Sequence, residues 1–416
     1  MHLLIEYIKS RICFLLLFFI YGTALGVTKV LQRKKQTPWE KKNTVLIITT
    51  FHNVNWFVSH VLPFSRSNVE KIFLVCDQEI FSMNKVHYVC PSPLVRKYIP
   101  RPISKFVLAF RVALLERPDV IIGYHMFPNA MIAQVVGAVI GRPSCFQLTS
   151  GALQLVGGGW QSENPIAAGM QRPSWILERI VYALVRCFDL VVVRGTKAKK
   201  FIRSIGYTGE LAIVTGSIGE ITPQKEKEHR AIDIIFVGRL AEVKRPEMIV
   251  EIISIVKKQH PEIQGVFLGD GPLREKLQTM VRDKDLVDNI SLPGAVNDVA
   301  SYLRWTKVFV LTSEDEGMSI AMLEAMASGV IPVVSDVGDL GDIVRNGETG
   351  YLVTNDRVDD FALHIMRLME DNVLRERLSA NAMRASLAKS SVQAVSREWN
   401  RYFDLICKHH GCVCGK

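Results

Sequence analysis

The stretch KVFVLTSEDEGMSIAMLEAMASGVIPVVSD, at residues 307–336, decides the fold class of this chain. It begins with a short apolar run at 307–313, continues through the polar loop EDEGMS into an apolar stretch of helical length, and ends in a second apolar run at 330–336. Short, continuous apolar runs are typical of fully buried strands. A strand, a helix and a second strand in this order predict a parallel pair that is joined by a crossover helix.

The same alternation extends on both sides of this stretch. Further strands are predicted at residues 233–238, 265–269, 289–294 and 351–353, and a helix with an apolar stripe at 246–259. Together these elements predict an α/β body with a parallel sheet over residues 231–390.

A second run of alternating elements precedes it, over residues 43–217. The predicted strands lie at residues 44–50, 71–76, 119–125, 144–150 and 189–195, with helices at 103–116 and 174–185. The polar stretch 218–230 is typical of a linker. We therefore expect two α/β bodies with a cleft between them, and a cleft of this kind is a common substrate site.

The composition is that of a globular protein with substantial cores. Of its 416 residues 48% are apolar and 22% charged, which argues against disorder, and no repeat of solenoid length is visible. The net charge of +10 suits an acidic partner such as anionic lipid or a phosphorylated substrate, or else reflects only solubility. No nucleic-acid-binding motif is present, so no nucleic-acid partner is expected.

The N-terminal segment, residues 1–42, contains the uncharged stretch ICFLLLFFIYGTALGVT at 12–28. Its length is near the lower limit for a membrane-spanning helix, so we expect residues 1–42 to be a membrane anchor and basic stretch, either as a single span or as a half-inserted helix. More Lys and Arg follow it than precede it, which places the main body on the cytoplasmic face of the plasma membrane. The alternatives are a cleaved secretory signal and a helix buried against the body.

The eight cysteines are too few and too scattered for a disulfide scaffold, and they favour a reducing compartment. Three of them, Cys407, Cys412 and Cys414, cluster with His409 and His410 near the C-terminus. Their spacing matches no usual zinc module, so a frayed tail is the main expectation and a zinc site the alternative.

Two cations follow the strand predicted at 233–238. The sequence GRLAEVK begins at Gly238 and places Arg239 and Lys244 at a strand-to-helix turn. Two cations beside a helix N-terminus make an anion site of the kind that a diphosphate needs. For either cation alone, a solvated surface charge is the alternative.

The loop at 314–319 and the helix after it carry two carboxylates, Glu316 and Glu324. A carboxylate can accept hydrogen bonds from two neighbouring hydroxyls of a ribose or hexose. Because Glu324 lies in an otherwise apolar helix, we expect it either to have a partner or to face solvent. Three acids in a row, at 314–316, do not by their pattern aim at one point, and no metal site is predicted.

The start of this helix predicts a second feature of the site. Ser319 is a plausible N-cap, and Gly329 is expected to end the helix. Free backbone N–H groups are then expected at Gly317, Met318, Ser319 and Ile320. The helix dipole adds partial positive charge at the same point.

In the first body, His125 follows a predicted strand and is a candidate for substrate contact or acid/base work. A satisfied loop histidine is the alternative, and His52, after the first strand, is a weaker candidate of the same kind. The Gly-rich stretch at 150–165 is expected to be unstructured, either as a hinge or ligand loop or as a mobile surface loop.

At these residues the sequence resembles the family-4 retaining glycosyltransferases of the GT-B fold. The resemblance rests on GRLAEVK (238–244), GDGPLR (269–274) and EGMSIAMLEAMASG (316–329), which match the turn, glycine segment and glutamate pair of that family. It continues through 397–406, which is similar to the C-terminal helix that returns to the first domain, so a helix is expected at 391–410.

The resemblance implies two Rossmann-like domains that face each other across a cleft, an acceptor domain at 43–217 and a nucleotide-sugar domain at 231–390. It implies that Arg239 and Lys244 neutralise the donor diphosphate. Glu316, with the backbone at 317–320, would bind the donor sugar, and Glu324 the ribose. His125 would lie near the transferred sugar. The family needs no metal or other cofactor.

The chain departs from the family pattern at several positions. Met318 and Ser319 replace the usual Phe-Gly, Lys307 replaces a common Asp, and FHNVNW at 51–56 replaces a Gly-rich loop. The expected activity is transfer of a sugar from a nucleotide-diphosphate sugar to a lipid-linked or polysaccharide acceptor in bacterial envelope polysaccharide assembly. A nucleotide-sugar epimerase and a non-catalytic sugar-nucleotide-binding protein remain the alternatives.

Overall fold

The structure, a computed structural model, describes residues 2–31, 39–50, 54–80, 82–149, 151–160, 165–219, 231–354 and 357–413. The chain divides into two compact units. Unit 1 combines Met1–Ser217 with Val395–Lys416, and unit 2 is Ile218–Ala394. The linker predicted at 218–230 falls almost wholly outside the described residues.

Unit 1 is an α/β structure. Its strands before unit 2 are β1 (Trp39–Glu40), β2 (Thr44–Ile48), β3 (Lys71–Val75), β4 (Val86–Val89), β5 (Val120–Tyr124), β6 (Ser144–Gln147), β7 (Leu190–Val193) and β8 (Glu210–Ile213). Its helices are α1 (His2–Leu31), α2 (Val54–His60), α3 (Leu62–Ser65), α4 (Pro93–Tyr98), α5 (Arg101–Glu116), α6 (Met131–Ile140), α7 (Pro165–Ala168), α8 (Trp175–Val185) and α9 (Thr196–Ser204).

Seven of these strands form one parallel sheet in the order β4-β3-β2-β5-β6-β7-β8. Residues of β2 and β5 are buried along their whole length, as their uninterrupted apolar sequences require when both faces of a sheet are covered. The order reverses direction between β2 and β5, and ligands of such sheets bind beyond the strand ends at a reversal of this kind.

Helix α1 packs against α6 and α8 of unit 1. Its buried side chains, Leu17, Tyr21, Ala24 and Thr28, follow one another at spacings of three and four residues and form one stripe. The opposite side stays exposed and apolar, with Leu16 and Phe19 48% and 66% exposed. By length and composition, Lys9–Leu31 is also a candidate membrane span.

Unit 2 contains the strands β9 (Ile232–Val237), β10 (Gly265–Leu268), β11 (Ile290–Gly294), β12 (Thr306–Leu311), β13 (Ile331–Ser335) and β14 (Tyr351–Val353). Its helices are α10 (Pro246–Val256), α11 (Arg274–Asp283), α12 (Val299–Arg304), α13 (Ile320–Ala327), α14 (Val358–Glu370) and α15 (Asn372–Ser390). The helix α16 (Val392–His409) then leads back into unit 1, where the short strand β15 (Cys412–Val413) pairs with β1.

The sheet of unit 2 is parallel, in the order β11-β10-β9-β12-β13-β14. Numbered within the unit, this is the order 3-2-1-4-5-6 of dinucleotide-binding domains, with the reversal between β9 and β12. The loops after β9 and β12 are the ones that carry the predicted cations and glutamates, so the sheet order brings these two loops side by side.

The prediction of two Rossmann-like α/β bodies is confirmed. In the large sheet of unit 1, β4 and β8 were not predicted, because several of their residues are only partly buried and their apolar patterns are correspondingly weak. The two-residue strands β1 and β15 were not predicted either. The expectation of a frayed C-terminal tail is wrong for the described residues up to 413. There Cys407 is buried in α16, and His410 lies 3.4 Å from the Asp189 carboxylate.

Candidate functional site

The turn after β9 rests directly on the turn after β10. The N–H of Gly238 donates to the carbonyl oxygen of Leu268 (3.0 Å), and that of Leu240 to the carbonyl oxygen of Asp270 (2.9 Å). Gly269 has a φ of +140°, and a Cβ there would lie 1.9 Å from the carbonyl oxygen of Gly238. Only glycine allows this approach, which explains the GDG sequence without a ligand role.

The two predicted cations occupy different environments in this turn. Arg239 is exposed, and its guanidinium has no hydrogen-bond or ion-pair partner among the described residues. Lys244 ends a short 3-10 turn, Glu242–Lys244, and its Nζ lies 2.5 Å from Oε1 of Glu316. One cation is therefore open to solvent, and the other is held by an acid of the neighbouring loop.

The loop after β12 is fastened to the turn after β9 by several hydrogen bonds. The hydroxyl of Thr312 donates to the carbonyl oxygens of Lys244 (3.1 Å) and Arg245 (2.8 Å), and the N–H of Glu314 to that of Val243 (2.9 Å). These bonds hold Lys244 and Glu316 in register although 72 residues separate them in sequence.

Glu316 is the most enclosed acid of this loop, with 9% of its surface exposed. The hydroxyl of Ser313 donates to its Oε1 (2.9 Å), the oxygen that also contacts Lys244. On its main-chain side, Gly338 lies so close that a Cβ would be 1.8 Å from the carbonyl oxygen of Glu316. The side chain and the main chain of Glu316 are thus both held in place, as is required of a residue that binds a ligand in a fixed orientation.

Helix α13 begins at the same loop. Ser319 is its N-cap, and its hydroxyl accepts from the N–H of Met322 (3.3 Å), which agrees with the sequence. Gly329, in the left-handed region with φ +74°, follows the last turn. The backbone N–H groups of residues 317–320 have no acceptor in the described part of the chain. They form a donor set that suits oxygen atoms of a ligand.

Glu324 lies on the less buried side of α13, four residues after Ile320. Its carboxylate has no hydrogen-bond or ion-pair partner among the residues that the structure describes, so the expected protein partner is not found. Burial raises the pKa of this carboxyl to about 7. A partly buried acid without a protein partner is available to ligand hydroxyls.

Asp315, which the sequence did not single out, is also perturbed. Burial, and then the neighbouring Glu316 carboxylate, raise its pKa to about 6. The turn after β9 thus carries two cations, and the loop after β12 with the start of α13 carries three acids in different environments and a row of free N–H groups; both follow the strands at the switch point of one sheet. Such a set can bind a charged, hydroxyl-rich ligand.

His125 belongs to unit 1 and follows β5 at the other reversal of strand order. Its φ of +62° is unusual for a residue other than glycine. Its Nδ1 lies 3.0 Å from Nε2 of Gln154 and 3.5 Å from the hydroxyl of Thr149. Because an amide nitrogen only donates, Nδ1 is the acceptor in this contact, and Gln154 orients the ring.

Gln154 was not predicted, because the Gly-rich segment that contains it was expected to be unstructured. Its described part, 151–160, instead forms two short 3-10 turns. The N–H of Gly157 donates to Glu178 Oε2 (2.5 Å), and a Cβ on Gly158 would lie 2.5 Å from that of Leu177. The glycines thus allow close packing against α8 within the described range.

A second buried group near these strand ends was also missed by sequence reasoning. The Nη2 of Arg194, after β7, lies 2.8 Å from Nε2 of His60, and Nη1 donates to the carbonyl oxygen of Thr215. Burial, and then the Arg194 guanidinium, hold the pKa of His60 well below its usual range, while burial lowers that of Arg194 to about 10. His60 is therefore a neutral acceptor for a buried cation.

The remaining predicted candidates give no site in the described residues. His52 and Cys414 lie outside them, as do parts of the Gly-rich stretch. No three His, Cys, Asp or Glu side chains within the described ranges come together as a potential metal site. Lys307, one of the departures from the family pattern, pairs with Asp233 at 2.7 Å near the amino-terminal ends of β12 and β9.

Known proteins resemble this chain in sequence and in fold. The family model described as glycosyl transferases group 1 matches residues 217–385. The poly(ribitol-phosphate) alpha-N-acetylglucosaminyltransferase of Staphylococcus aureus (strain COL) is 27% identical over 169 residues, which are 40% of this chain and 34% of that relative.

A second relative is the UDP-Gal:alpha-D-GlcNAc-diphosphoundecaprenol alpha-1,3-galactosyltransferase of Escherichia coli. It is 33% identical over 141 residues, which are 33% of this chain and 36% of that relative. This chain therefore covers about a third of the length of these two curated relatives.

Among solved structures, the sucrose-phosphate synthase of Thermosynechococcus elongatus has a TM-score of 0.70 and 18% sequence identity. The match covers 88% of this chain and 99% of that chain. The likeness confirms the predicted GT-B fold class.

Proposed function

We propose, from the premise that residues 217–385 are a glycosyl transferases group 1 domain, that this chain transfers a sugar from a nucleotide-diphosphate sugar to a saccharide or lipid-linked acceptor. The observation that carries the proposal is the contact of Lys244 with Glu316 at the switch point of the unit 2 sheet, beside the exposed Arg239. The two loops thus provide positive charge that can bind a diphosphate and a carboxylate that can accept hydrogen bonds from sugar hydroxyls.

The donor would bind along the loops after β9 and β12. Arg239 and Lys244 neutralise the diphosphate, and Glu316 accepts hydrogen bonds from hydroxyls of the transferred sugar. The free N–H groups of residues 317–320 donate to donor oxygens, and Glu324 accepts from the ribose. When the diphosphate arrives, Lys244 is shared between it and Glu316, so the acid stays oriented while the cation meets the developing charge.

In the reaction, the acceptor hydroxyl oxygen forms a bond to the anomeric carbon while the bond from that carbon to the diphosphate oxygen breaks. The nucleoside diphosphate leaves, and its phosphate oxygen takes the hydroxyl proton. We propose attack on the face from which the diphosphate departs, so the configuration is retained, as in family 4. His125, oriented by Gln154, would lie near the transferred sugar.

The charge of the leaving diphosphate would be stabilised by Arg239, Lys244 and backbone N–H groups. We therefore propose a metal-independent reaction, since the protein's own cations supply this role. We likewise propose that residues 43–217 carry the acceptor, that 231–390 carry the donor, and that 391–410 return to the first domain.

The acceptor class is proposed from the relatives and from α1. One relative is named for a diphosphoundecaprenol substrate and another for poly(ribitol-phosphate). With the candidate span Lys9–Leu31, they support an acceptor of envelope polysaccharide assembly at the cytoplasmic face of the plasma membrane. No observation favours the epimerase or the non-catalytic alternative.

The proposal is tested by transfer of radiolabel from UDP-, GDP-, ADP- and dTDP-sugars to acceptors in membranes. We expect Glu324→Ala to reduce transfer about 10- to 100-fold, because a hydrogen bond to a charged group is lost. The matched control is Glu370→Ala, since Glu370, at the end of α14, pairs with His260 outside the loops after β9 and β12. Undiminished transfer by Glu324→Ala, or no transfer by the unaltered protein from any donor, would count against the proposal.

A further inference from the structure

Helices α4 and α5 of unit 1 expose a concentration of large apolar side chains. Eight such side chains lie between residues 94 and 115, whereas the described residues of unit 2 expose five. On these two helices and their connection they are Leu94, Tyr98, Ile99, Ile103, Phe106, Val107, Leu114 and Leu115. Leu94, Tyr98 and Leu115 are each at least 70% exposed. Large apolar side chains concentrated in this way on two consecutive helices, here called the patch, indicate an interaction surface rather than scattered surface residues.

Basic side chains are interspersed with this patch. Arg96, Lys97, Arg101, Arg111 and Arg117 are exposed, against one exposed acid, Glu116. On α5, Val107, Arg111 and Leu115 follow at spacings of four residues and so lie on one face. The surface is therefore apolar and positively charged at the same time.

The inner side of α5 is fully used by the fold. Ala109, Val112 and Ala113 are buried in the core that α5 forms with α6 and the sheet. Lys105 is completely buried, and its Nζ donates to the carbonyl oxygen of Thr49 (2.8 Å). The exposed apolar residues are thus not a misplaced core face, because that face is already packed.

The patch shares a neighbour with α1. Both α1 and α5 pack against α6. The outward side of α1 is also apolar, with Leu15 and Phe19 51% and 66% exposed. Helix α6 therefore contacts two helices, α1 and α5, that each expose an apolar surface.

We propose that α4 and α5 form a second docking surface, independent of α1, for an anionic lipid bilayer. The inference rests on the proposed membrane-linked acceptor, because docking would hold unit 1 where such an acceptor is presented. Apolar side chains would enter the boundary between headgroups and acyl chains, and the basic side chains would pair with anionic headgroups.

The positive charge of the patch favours an anionic bilayer over a second copy of this chain as the partner. In a symmetric contact between two copies, the same five basic side chains would face each other at short distance, which is unfavourable. An anionic bilayer accepts both the apolar and the basic side chains of the patch. Binding to it should weaken with added salt, because the Debye length falls from about 10 Å at 0.1 M to about 3 Å at 1 M.

The test is co-sedimentation of the full-length protein with vesicles of phosphatidylcholine, with or without phosphatidylglycerol. Val107→Glu/Leu115→Glu is compared with Leu363→Glu/Val373→Glu, a control pair of exposed apolar residues in unit 2. Each pair is made in the unaltered chain and in a Leu15→Gln/Phe19→Gln chain, in which the outward side of α1 is polar. Thermal unfolding midpoints show that each variant is folded.

We expect the α5 pair to lower partition onto anionic vesicles about tenfold or more in the Leu15→Gln/Phe19→Gln chain, with the control pair within twofold of its parent. Equal partition of the two pairs there, or equal binding of the parent to vesicles with and without phosphatidylglycerol, would overturn the proposal. Stabilisation by nucleotide sugars, measured on the same samples, tests the donor site separately, so failure of one proposal is distinguishable from failure of the other.

Discussion

The carboxyl group of Glu324 is partly buried and has no hydrogen-bond partner among the described residues. Its pKa is about 7 in the folded protein, against an ordinary value of 4.5. Below pH 4.5 the acid is neutral in both the folded and the unfolded state, so it contributes nothing to the pH dependence. Above pH 7 it is charged in both states, and the folded state bears the full cost of burying the charge.

We therefore predict that unit 2 loses stability relative to Glu324→Gln as the pH rises from about 4.5 to 7, by at most about 3 kcal/mol. Urea unfolding at pH 4.5, 6 and 8 measures the difference. Glu262→Gln, which removes an exposed carboxyl group outside the helices of unit 2, is the control. A pH-independent difference between Glu324→Gln and the unaltered protein would contradict the assignment.

Gln154 acts on His125 and is a positioning residue in this account. We predict that Gln154→Leu lowers kcat about tenfold and leaves the donor KM within twofold, because the ring loses its orientation while the donor site of unit 2 is untouched. Steady-state kinetics measure kcat and the donor KM separately. Gln154→Asn should have a higher kcat than Gln154→Leu. An increase of donor KM at constant kcat would show that Gln154 has a different role.

Single residues differ in how far the sequence could predict them. Arg239, Lys244 and Glu316 lie in motifs that the sequence displays, and the prediction that the first two flank a strand end agrees with the structure. The contact between Lys244 and Glu316 joins positions 72 residues apart, which no local pattern reports. Gln154 was missed because a run of glycines indicates flexibility, whereas here it permits close packing.

At the scale of the elements, α1 is a helix with two apolar sides. Its inward stripe fits unit 1, with Tyr21 2% exposed and its ring centroid 6.0 Å from that of Phe127. Phe127 lies two residues after His125, so α1 supports the segment that carries the candidate site residue. The sequence alone could not distinguish a spanning helix from a packed one, because an apolar sequence satisfies both.

We predict that Tyr21→Ala destabilises unit 1 by about 3–5 kcal/mol, the usual cost of removing a buried aromatic side chain. Phe19→Ala, an aromatic truncation on the exposed side of the same helix, should change the free energy of unfolding by less than about 0.5 kcal/mol. Chemical denaturation in mild detergent gives both values. Equal effects of the two substitutions would mean that α1 does not pack as described.

The strands show a related limit. Long apolar runs such as β2 and β5 were predicted because burial on both faces removes polar alternation. Strands β4 and β8 are only partly buried, unlike the equally short β6 and β7, so their apolar patterns were too weak. Their positions in the sheet depend on long-range pairing, which becomes visible only in the folded chain.

At the scale of the whole molecule, the chain builds most of unit 1, then unit 2, and returns to unit 1 through α16. Trp399 of α16 is 2% exposed, and its ring lies 4.4 Å from that of Phe64. The hydroxyl of Ser396 donates to the carbonyl oxygen of Pro63 (2.8 Å). The last helix is thus part of the core of the first unit.

We predict that Trp399→Ala destabilises unit 1 by about 3–5 kcal/mol and leaves unit 2 unchanged. Hydrogen exchange followed by mass spectrometry separates the two units, because peptides of each report their own opening. Trp305→Ala, at a 40% exposed tryptophan of unit 2, is the matched control. Loss of protection in unit 2 alone after Trp399→Ala would contradict the division of the chain.

Alternation of strands and helices was enough to predict two parallel-sheet bodies, because both faces of such a sheet must be covered by the connecting helices. The strand order was not accessible in this way. It is the order that puts the loops after β9 and β12 next to each other and so assembles the candidate site in unit 2.

The central claim is that Lys244 contacts the diphosphate of an activated sugar, and the most direct measurement is donor-induced stabilisation of Lys244→Met against Lys307→Met. The two lysines have the same side-chain exposure, 25%, and each pairs with one acid, but Lys307 lies near the amino-terminal ends of β12 and β9. At a donor concentration of 100 times Kd, the unaltered protein and Lys307→Met should each be stabilised by about 2.7 kcal/mol. For Lys244→Met, a 100-fold weaker affinity would leave about 0.4 kcal/mol. Equal stabilisation of both variants, or none of the unaltered protein by any nucleotide sugar, would contradict the account.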